Sequence, residues 1–470
     1  MTTSLRNLLL LLAALTLSIA YAAEPADWLL SARWVLPMDP SRAILENGAV
    51  AIKGDAILAV GPRAELAKRF TPKRTLHRPD AILLPGLINT HTHAPMSLFR
   101  GIADDLRLQE WLEKFIFPAE ARNVTPGFVR AGTQLAALEM ILGGTTTFAD
   151  MYYFEEVIAE ATKAAGLRGV LGQTIIGFPV PDAKTPAGAL ARTEAFFKRF
   201  ANDPLIVPAV APHALYTNSD ETLRNCRALA DRYNVPLLIH LSETKRENDD
   251  IQAKRGKSPT AVLDELGVLT GRTVAAHGVW LDDADLAILQ RRGAGIAHCP
   301  SSNMKLASGV APIMKMLALG IPVGLGPDGP AGSNNDFSML EEMDLAAKLA
   351  KVSTNDPQAL SAQKALEMAT IDGARALGMD QLIGSLEPGK RADLIFVRAN
   401  APHAIPLYNA YSQLAYALKT TDVSDVMVNG RWLLRARIPQ TLNQAAVLAA
   451  ARDYQRRILD SLKPAATPAR

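Results

Sequence analysis

The chain has 470 residues, 49% apolar, 21% charged and 6% aromatic, which excludes a disordered chain, a disulfide-stapled miniprotein, a coiled coil and a collagen-like repeat. Fifty Lys and Arg against 47 Asp and Glu leave a net charge of +3, too balanced for an electrostatic grip on nucleic acid or a membrane surface. The length suits two or three domains, or one large barrel with an attachment.

Residues 1–22 read MTTSLRNLLLLLAALTLSIAYA: Arg6, an apolar run from Leu8 to Ala20, then small residues at Ala20 and Ala22. This is the layout of a secretory signal peptide, and the run is shorter than the roughly 20 residues of a spanning helix. The expectation is an exported, soluble mature chain, periplasmic or secreted, beginning near Ala23. Export permits disulfides, yet the sequence holds only Cys226 and Cys299. Two buried free thiols are expected rather than a bridge.

From Trp28 to Leu84, short alternating runs broken by Gly and Asp read as antiparallel strands and turns. The same texture returns after Gly384, so a small β-sandwich completed by both chain ends (residues 23–84 and 384–440) is expected. Between them, over residues 85–383, strand-like runs such as TTTFADM, VPLLIHLSE and GAGIAHCP alternate with longer helical stretches. That alternation predicts an α/β fold with a parallel sheet, and its length suits a (β/α)8 barrel. A doubly wound open sheet fits less well, because no Gly-rich phosphate loop follows an early strand. Residues 441–470 are expected to form a C-terminal helix and an Ala/Pro-rich tail.

The histidines carry the chemistry. His91 and His93 form an H-x-H pair after an apolar run, and alternate residues of a strand share a face. His240, His277 and Asp328 each end a predicted strand, where barrel enzymes assemble their sites. Singly, each is an ordinary capped polar group; together, three imidazoles and a carboxylate suit a single Zn²⁺ or Fe²⁺ with an open water position. The fourth-strand candidate LIVPAVAPH holds no Lys for a bridging carboxylate, which favours one ion. Glu243, three residues beyond His240, is placed to protonate a substrate ring nitrogen, His277 to hold the attacking water and Asp328 to take its proton.

The segments PGLINTHTHAPMSLFRGIADDLRLQEWLEKFIFPAEA, IHLSET, AAHGVW and GLGPDGPAGSNND resemble the amidohydrolase superfamily. Within it the chain is most similar, from Leu29 to Arg435, to the S-adenosylhomocysteine/5′-methylthioadenosine deaminases and their chlorohydrolase neighbours. The resemblance implies a distorted (β/α)8 barrel, a β-sandwich from both chain ends and one divalent metal. It implies His91, His93, His240 and Asp328 as metal ligands and Glu243 with His277 as the proton-transfer pair. It also implies Glu120 as the acid that holds ribose hydroxyls, Trp111 as an aromatic of the pocket, and His213 and Ser333 as substrate contacts. Two features depart from the family pattern. Gln173 stands where an arginine for a homocysteine carboxylate would be sought, with Lys184 a candidate substitute, and the loop from Asp328 to Ser333 is longer.

The activity implied is hydrolytic deamination of an adenine nucleoside: 5′-methylthioadenosine, S-adenosylhomocysteine or adenosine. The same residues on another N-heterocycle (guanine, a pterin, an s-triazine) form the second reading, and an exported non-catalytic binding barrel the third. A binder has no use for paired proton donors and acceptors, which disfavours the third. Nucleic-acid deaminases use a P-C-x-x-C zinc element that this sequence lacks. A small-molecule partner is therefore expected, without nucleic acid or membrane, and a homo-oligomer is compatible with the family.

Overall fold

A computed structural model describes residues 23–463; the expected signal peptide lies outside them. The chain first lays down β1 (Glu24–Val35), β2 (Leu45–Glu46), β3 (Gly48–Lys53), β4 (Ala56–Pro62) and, after a short helix at Arg63–Arg69, β5 (Phe70–Pro85). The barrel strands follow: β6 (Leu87–Thr92), β7 (Thr145–Tyr152), β8 (Arg168–Ile175), β9 (Ile206–Pro212), β10 (Leu237–Leu241), β11 (Thr273–His277), β12 (Gly295–His298) and β13 (Val323–Leu325). The chain then returns through β14 (Leu394–Arg398), β15 (Val423–Val428), β16 (Arg431–Arg435) and β17 (Ile438–Pro439), and the helix Gln444–Leu462 closes it.

Strands β6 to β13 pair in sequence order, each parallel to the next. Nearly every residue in them is buried, as a parallel sheet covered by helices requires. The last strand meets the first through the Thr90 hydroxyl, which donates to Leu325 O at 2.9 Å, and the Thr92 hydroxyl, which donates to Asp328 O at 2.8 Å. The closure needs glycine: a Cβ on Gly324 would come 2.4 Å from Thr90 Cγ2, and one on Gly326 would come 2.8 Å from His91 N. The result is the near-closed (β/α)8 barrel that the strand–helix alternation predicts.

The two chain ends build one nine-stranded mixed sheet, in which β14 pairs antiparallel with β5. Its apolar residues pack on both faces, Trp28, Leu30 and Val50 in one cluster and Leu29, Ala51 and Phe70 in another. One expectation is corrected here: β1 and β5 run parallel, from Glu24 opposite Phe70 to Val35 opposite Leu83. The strands and helix between them form a crossover that brings the chain back in the same direction, which local alternation does not encode. Arg168 of β8 ties the barrel to this sheet, its guanidinium 3.0 Å from the Asp393 carboxylate with both side chains buried. Cys226 and Cys299 are free and buried. Among the described residues no helix is long and apolar enough to cross a membrane.

Candidate active site

The carboxyl ends of the barrel strands carry the sequence-selected residues. His91 lies within β6; His93 falls just beyond the strand, starting the tight turn Ala94–Phe99. Asp150 at the end of β7 accepts from Ala94 N, which fixes that turn. His240 lies within β10, and His277 closes β11. Three backbone positions here are left-handed without being glycine: Ser242 (φ 48°), His277 (φ 73°) and Asp328 (φ 64°). Such conformations cost about 1–2 kcal/mol each and persist where surrounding structure enforces them. They turn Glu243, His277 and Asp328 toward the barrel axis.

The geometry around the axis is tight. His91 Nε2 and His93 Nε2 lie 3.2 and 3.3 Å from Asp328 Oδ1. The His240 ring centroid lies 4.9 Å from that of His91 and 5.4 Å from that of His93. His93 Nδ1 donates to Met151 O at 2.7 Å and His240 Nδ1 donates to His213 O at 2.8 Å. A carbonyl only accepts, so each Nδ1 carries the proton and each Nε2 presents a lone pair inward. The Nε2 atoms of His91 and His93 thus both face one carboxylate oxygen, and His91 Nε2 is buried with no hydrogen-bond partner. A cation among these atoms would satisfy them together. The ligating atoms of His91, His93 and His240 lie within 4.8 Å of one another, as do those of His91, His277 and Asp328. The donor set fits one divalent ion with an open coordination position.

Around this point the supporting contacts are specific. Asp328 accepts from Gly329 N at 2.7 Å and from the Ser302 hydroxyl at 2.8 Å. His277 Nδ1 is 3.1 Å from Asn303 Oδ1, which leaves its Nε2 turned toward Glu243 Oε2 at 3.8 Å. Glu243 is buried, and burial pushes its carboxyl up to about 8, the charge of Asp328 adding and His93 opposing. The buried Glu247 carboxylate accepts from Glu243 N at 2.9 Å. Burial holds the His213 ring neutral, down to about 3.

Above the imidazoles opens a cavity lined by nine of the ten sequence-selected residues: His93, Trp111, Glu120, His213, His240, Glu243, His277, Asp328 and Ser333. His91 sits behind it, 4% exposed. Burial pushes Glu120 up to about 7 against the Tyr152 hydroxyl, which donates to Oε1 at 2.6 Å. The Tyr153 hydroxyl reaches Oε2 at 3.5 Å. Trp111 Nε1 donates to Ala331 O at 2.8 Å, and a Cβ on Gly332 would strike the indole nitrogen at 2.3 Å. The long Asp328–Ser333 loop therefore holds the tryptophan. Ser333 donates to Gly329 O at 2.7 Å within that loop. Gln173 does not line the cavity: it is buried, bonded to Asp182 at 2.8 Å, and Lys184 is exposed away from it. The sequence reading missed Tyr152, Tyr153, Ser302, Asn303 and Glu247. Polar residues at the end of β7 were a usable signal for the tyrosines; the others act across the fold.

These features define a (β/α)8 barrel with a candidate metal site at the carboxyl ends of its strands. A profile of the amidohydrolase family matches residues 82–433, and the chain belongs to that family. A bacterial imidazolonepropionase-like composite domain also matches residues 48–71. A protein named 5-methylthioadenosine/S-adenosylhomocysteine deaminase 1 from Syntrophus aciditrophicus is 46% identical over 440 residues, 94% of this chain and 99% of its own. A 5-methylthioadenosine/S-adenosylhomocysteine deaminase from Syntrophobacter fumaroxidans is 48% identical over 433 residues, 92% and 98% of the two chains. The crystal structure of an adenosine deaminase from Xanthomonas campestris with bound zinc superposes with a TM-score of 0.92 at 42% identity, covering 93% of this chain and 100% of that one.

Proposed function

We propose that the chain is a metal-dependent hydrolytic deaminase that releases ammonia from the exocyclic amine of adenine nucleosides. One observation carries the reading: His93, His240 and Asp328 line one cavity together with the buried carboxyls of Glu243 and Glu120. The names of the similar proteins support it. The ion that His91, His93, His240 and Asp328 would hold supplies an acidified water; three imidazoles and a carboxylate favour Zn²⁺, with Fe²⁺ as the alternative.

The protein's own groups do the rest. Glu243, largely protonated at neutral pH, gives its proton to the ring nitrogen beside the amine-bearing carbon, which makes that carbon electrophilic. His277 Nε2 holds the attacking oxygen, and Asp328 takes the water's proton and returns it to the departing amine. The C–O bond forms first; the C–N bond then breaks as the added oxygen gives its remaining proton back to Glu243 and becomes the carbonyl, so water and the aminopurine become the oxopurine and ammonia. Glu120 keeps a free lone pair on each oxygen beside its tyrosines and accepts from the two ribose hydroxyls. Trp111, His213 and Ser333 line the base-binding end.

Ammonia release from adenosine, 5′-methylthioadenosine and S-adenosylhomocysteine by zinc-loaded protein tests the reading; no turnover on any of them overturns it. The leader-like residues 1–22 support export. N-terminal sequencing of protein from a secreting host should then begin at Ala23, and an uncleaved product retained inside the cell overturns that part.

A further inference from the structure

We infer that this site selects nucleosides whose 5′ substituent is short and uncharged, so that the methylthio nucleoside is a far better substrate than the amino-acid-bearing one. The inference rests on the proposed deaminase reading and narrows its substrate class. With the amine-bearing carbon over the ligand cluster and the ribose at Glu120, the 5′ substituent lies against the remaining wall of the cavity. That wall includes Leu108, Leu112, Ile116 and Phe117, with Thr174 and Tyr216 among its uncharged polar residues. The lip continues it: the Phe117 and Phe178 rings meet edge to face, centroids 5.4 Å apart.

Neither the cavity nor the outer hollow it opens into past Phe117 has a Lys or Arg among its lining residues; the charged residue of that hollow is Glu113. An amino-acid tail would place a carboxylate against leucine and phenylalanine in a cavity that already holds Glu120, Glu243 and Asp328. A methylthio group there gains apolar contact, whereas an unpaired carboxylate loses water and finds no cation. A cationic cluster, Arg246, Lys254 and Arg255, lines a separate hollow that shares Leu108 and Tyr216 with the cavity wall. Arg255 is bound there to Asp220 at 2.7 Å, and Arg246 lies 3.6 Å from Asp250.

The test compares kcat/KM of the zinc-loaded enzyme for 5′-methylthioadenosine and S-adenosylhomocysteine. The expected ratio is at least about tenfold in favour of the first, carried mainly by KM, as an unpaired buried charge predicts. Phe178→Arg, which adds a cation at a half-exposed lip, should shift that ratio toward S-adenosylhomocysteine by about tenfold. Lys254→Ala should leave the residual S-adenosylhomocysteine rate in place. Equal kcat/KM for the two substrates, or loss of S-adenosylhomocysteine turnover in Lys254→Ala, overturns the apolar subsite while the deaminase reading stands. Failure on every nucleoside overturns both.

Discussion

In the proposed mechanism, the burial of Glu243 sets the working pH range. Its carboxyl, pushed up to about 8 by burial, donates a proton only when protonated. kcat/KM should therefore fall as pH rises through about 8, and Glu243→Gln should lower kcat by roughly 10²–10⁴. A pH–rate profile checks both: a Gln variant that keeps the alkaline limb and most of the rate would remove Glu243 from the mechanism. Glu120 works in the opposite sense, because it must be ionised to accept from two hydroxyls. With its carboxyl pushed up to about 7 by burial, KM for a ribosyl substrate should rise as pH falls below that value. Glu120→Gln should raise KM roughly tenfold or more for a nucleoside, since a hydrogen bond to a charged group contributes about 1.5–3 kcal/mol. The same change should leave a bare heterocycle nearly untouched, and equal effects on both would place Glu120 outside ribose recognition. The candidate ligand residues could be selected from the sequence because each occupies a short motif. Their partners were not: Asn303 lies 26 residues from His277, and Ser302 as far from Asp328.

At the scale of elements, the site depends on how closely the helix Pro126–Gly143 approaches the turn that follows His93. Thr125 caps the helix by accepting from Phe128 N, and the Ser97 hydroxyl donates to Gly132 O at 2.8 Å. A Cβ on Gly132 would sit 2.3 Å from Pro95 O, a backbone atom that cannot rotate aside. Gly132→Ala should cost about 1–3 kcal/mol of stability, the usual penalty of overpacking, and displace His93. Denaturant unfolding and zinc stoichiometry should fall together; full metal content in a destabilised variant would separate the turn from the site. Helix and strand identities came through from apolar periodicity, since burial dictates that pattern. The left-handed backbone at Ser242, His277 and Asp328 did not, because none of these residues is glycine and only tertiary packing enforces the conformation.

For the molecule as a whole, Arg168 and Asp393 hold the barrel to the nine-stranded sheet with side chains 1% and 3% exposed. The Asp393 carboxylate also accepts from Asn429 N at 2.6 Å, so one buried charge organises three segments. Arg168→Met leaves that charge without its partner and should cost about 3–5 kcal/mol. Urea unfolding reads this directly, and a loss below about 1 kcal/mol would mark the pair as dispensable. Chelation should lower Tm as well, because an ion bound to the folded state alone stabilises it by mass action. An unchanged Tm after verified metal removal would show that the ligand cluster holds its shape unaided.

By itself the sequence determined the alternation of strands and helices, the pairing of both chain ends into one sheet and the identity of the strand-end imidazoles and carboxylates. These are local or periodic properties, written wherever burial or a ligand demands a particular residue type. Tertiary structure alone decided that β1 and β5 run parallel, that Gln173 turns to Asp182 instead of the cavity, that two tyrosines brace Glu120, and that the wall beyond it carries no cation. Each depends on chain direction or on contacts between distant segments, and neither leaves a trace in the spacing of residues along the chain.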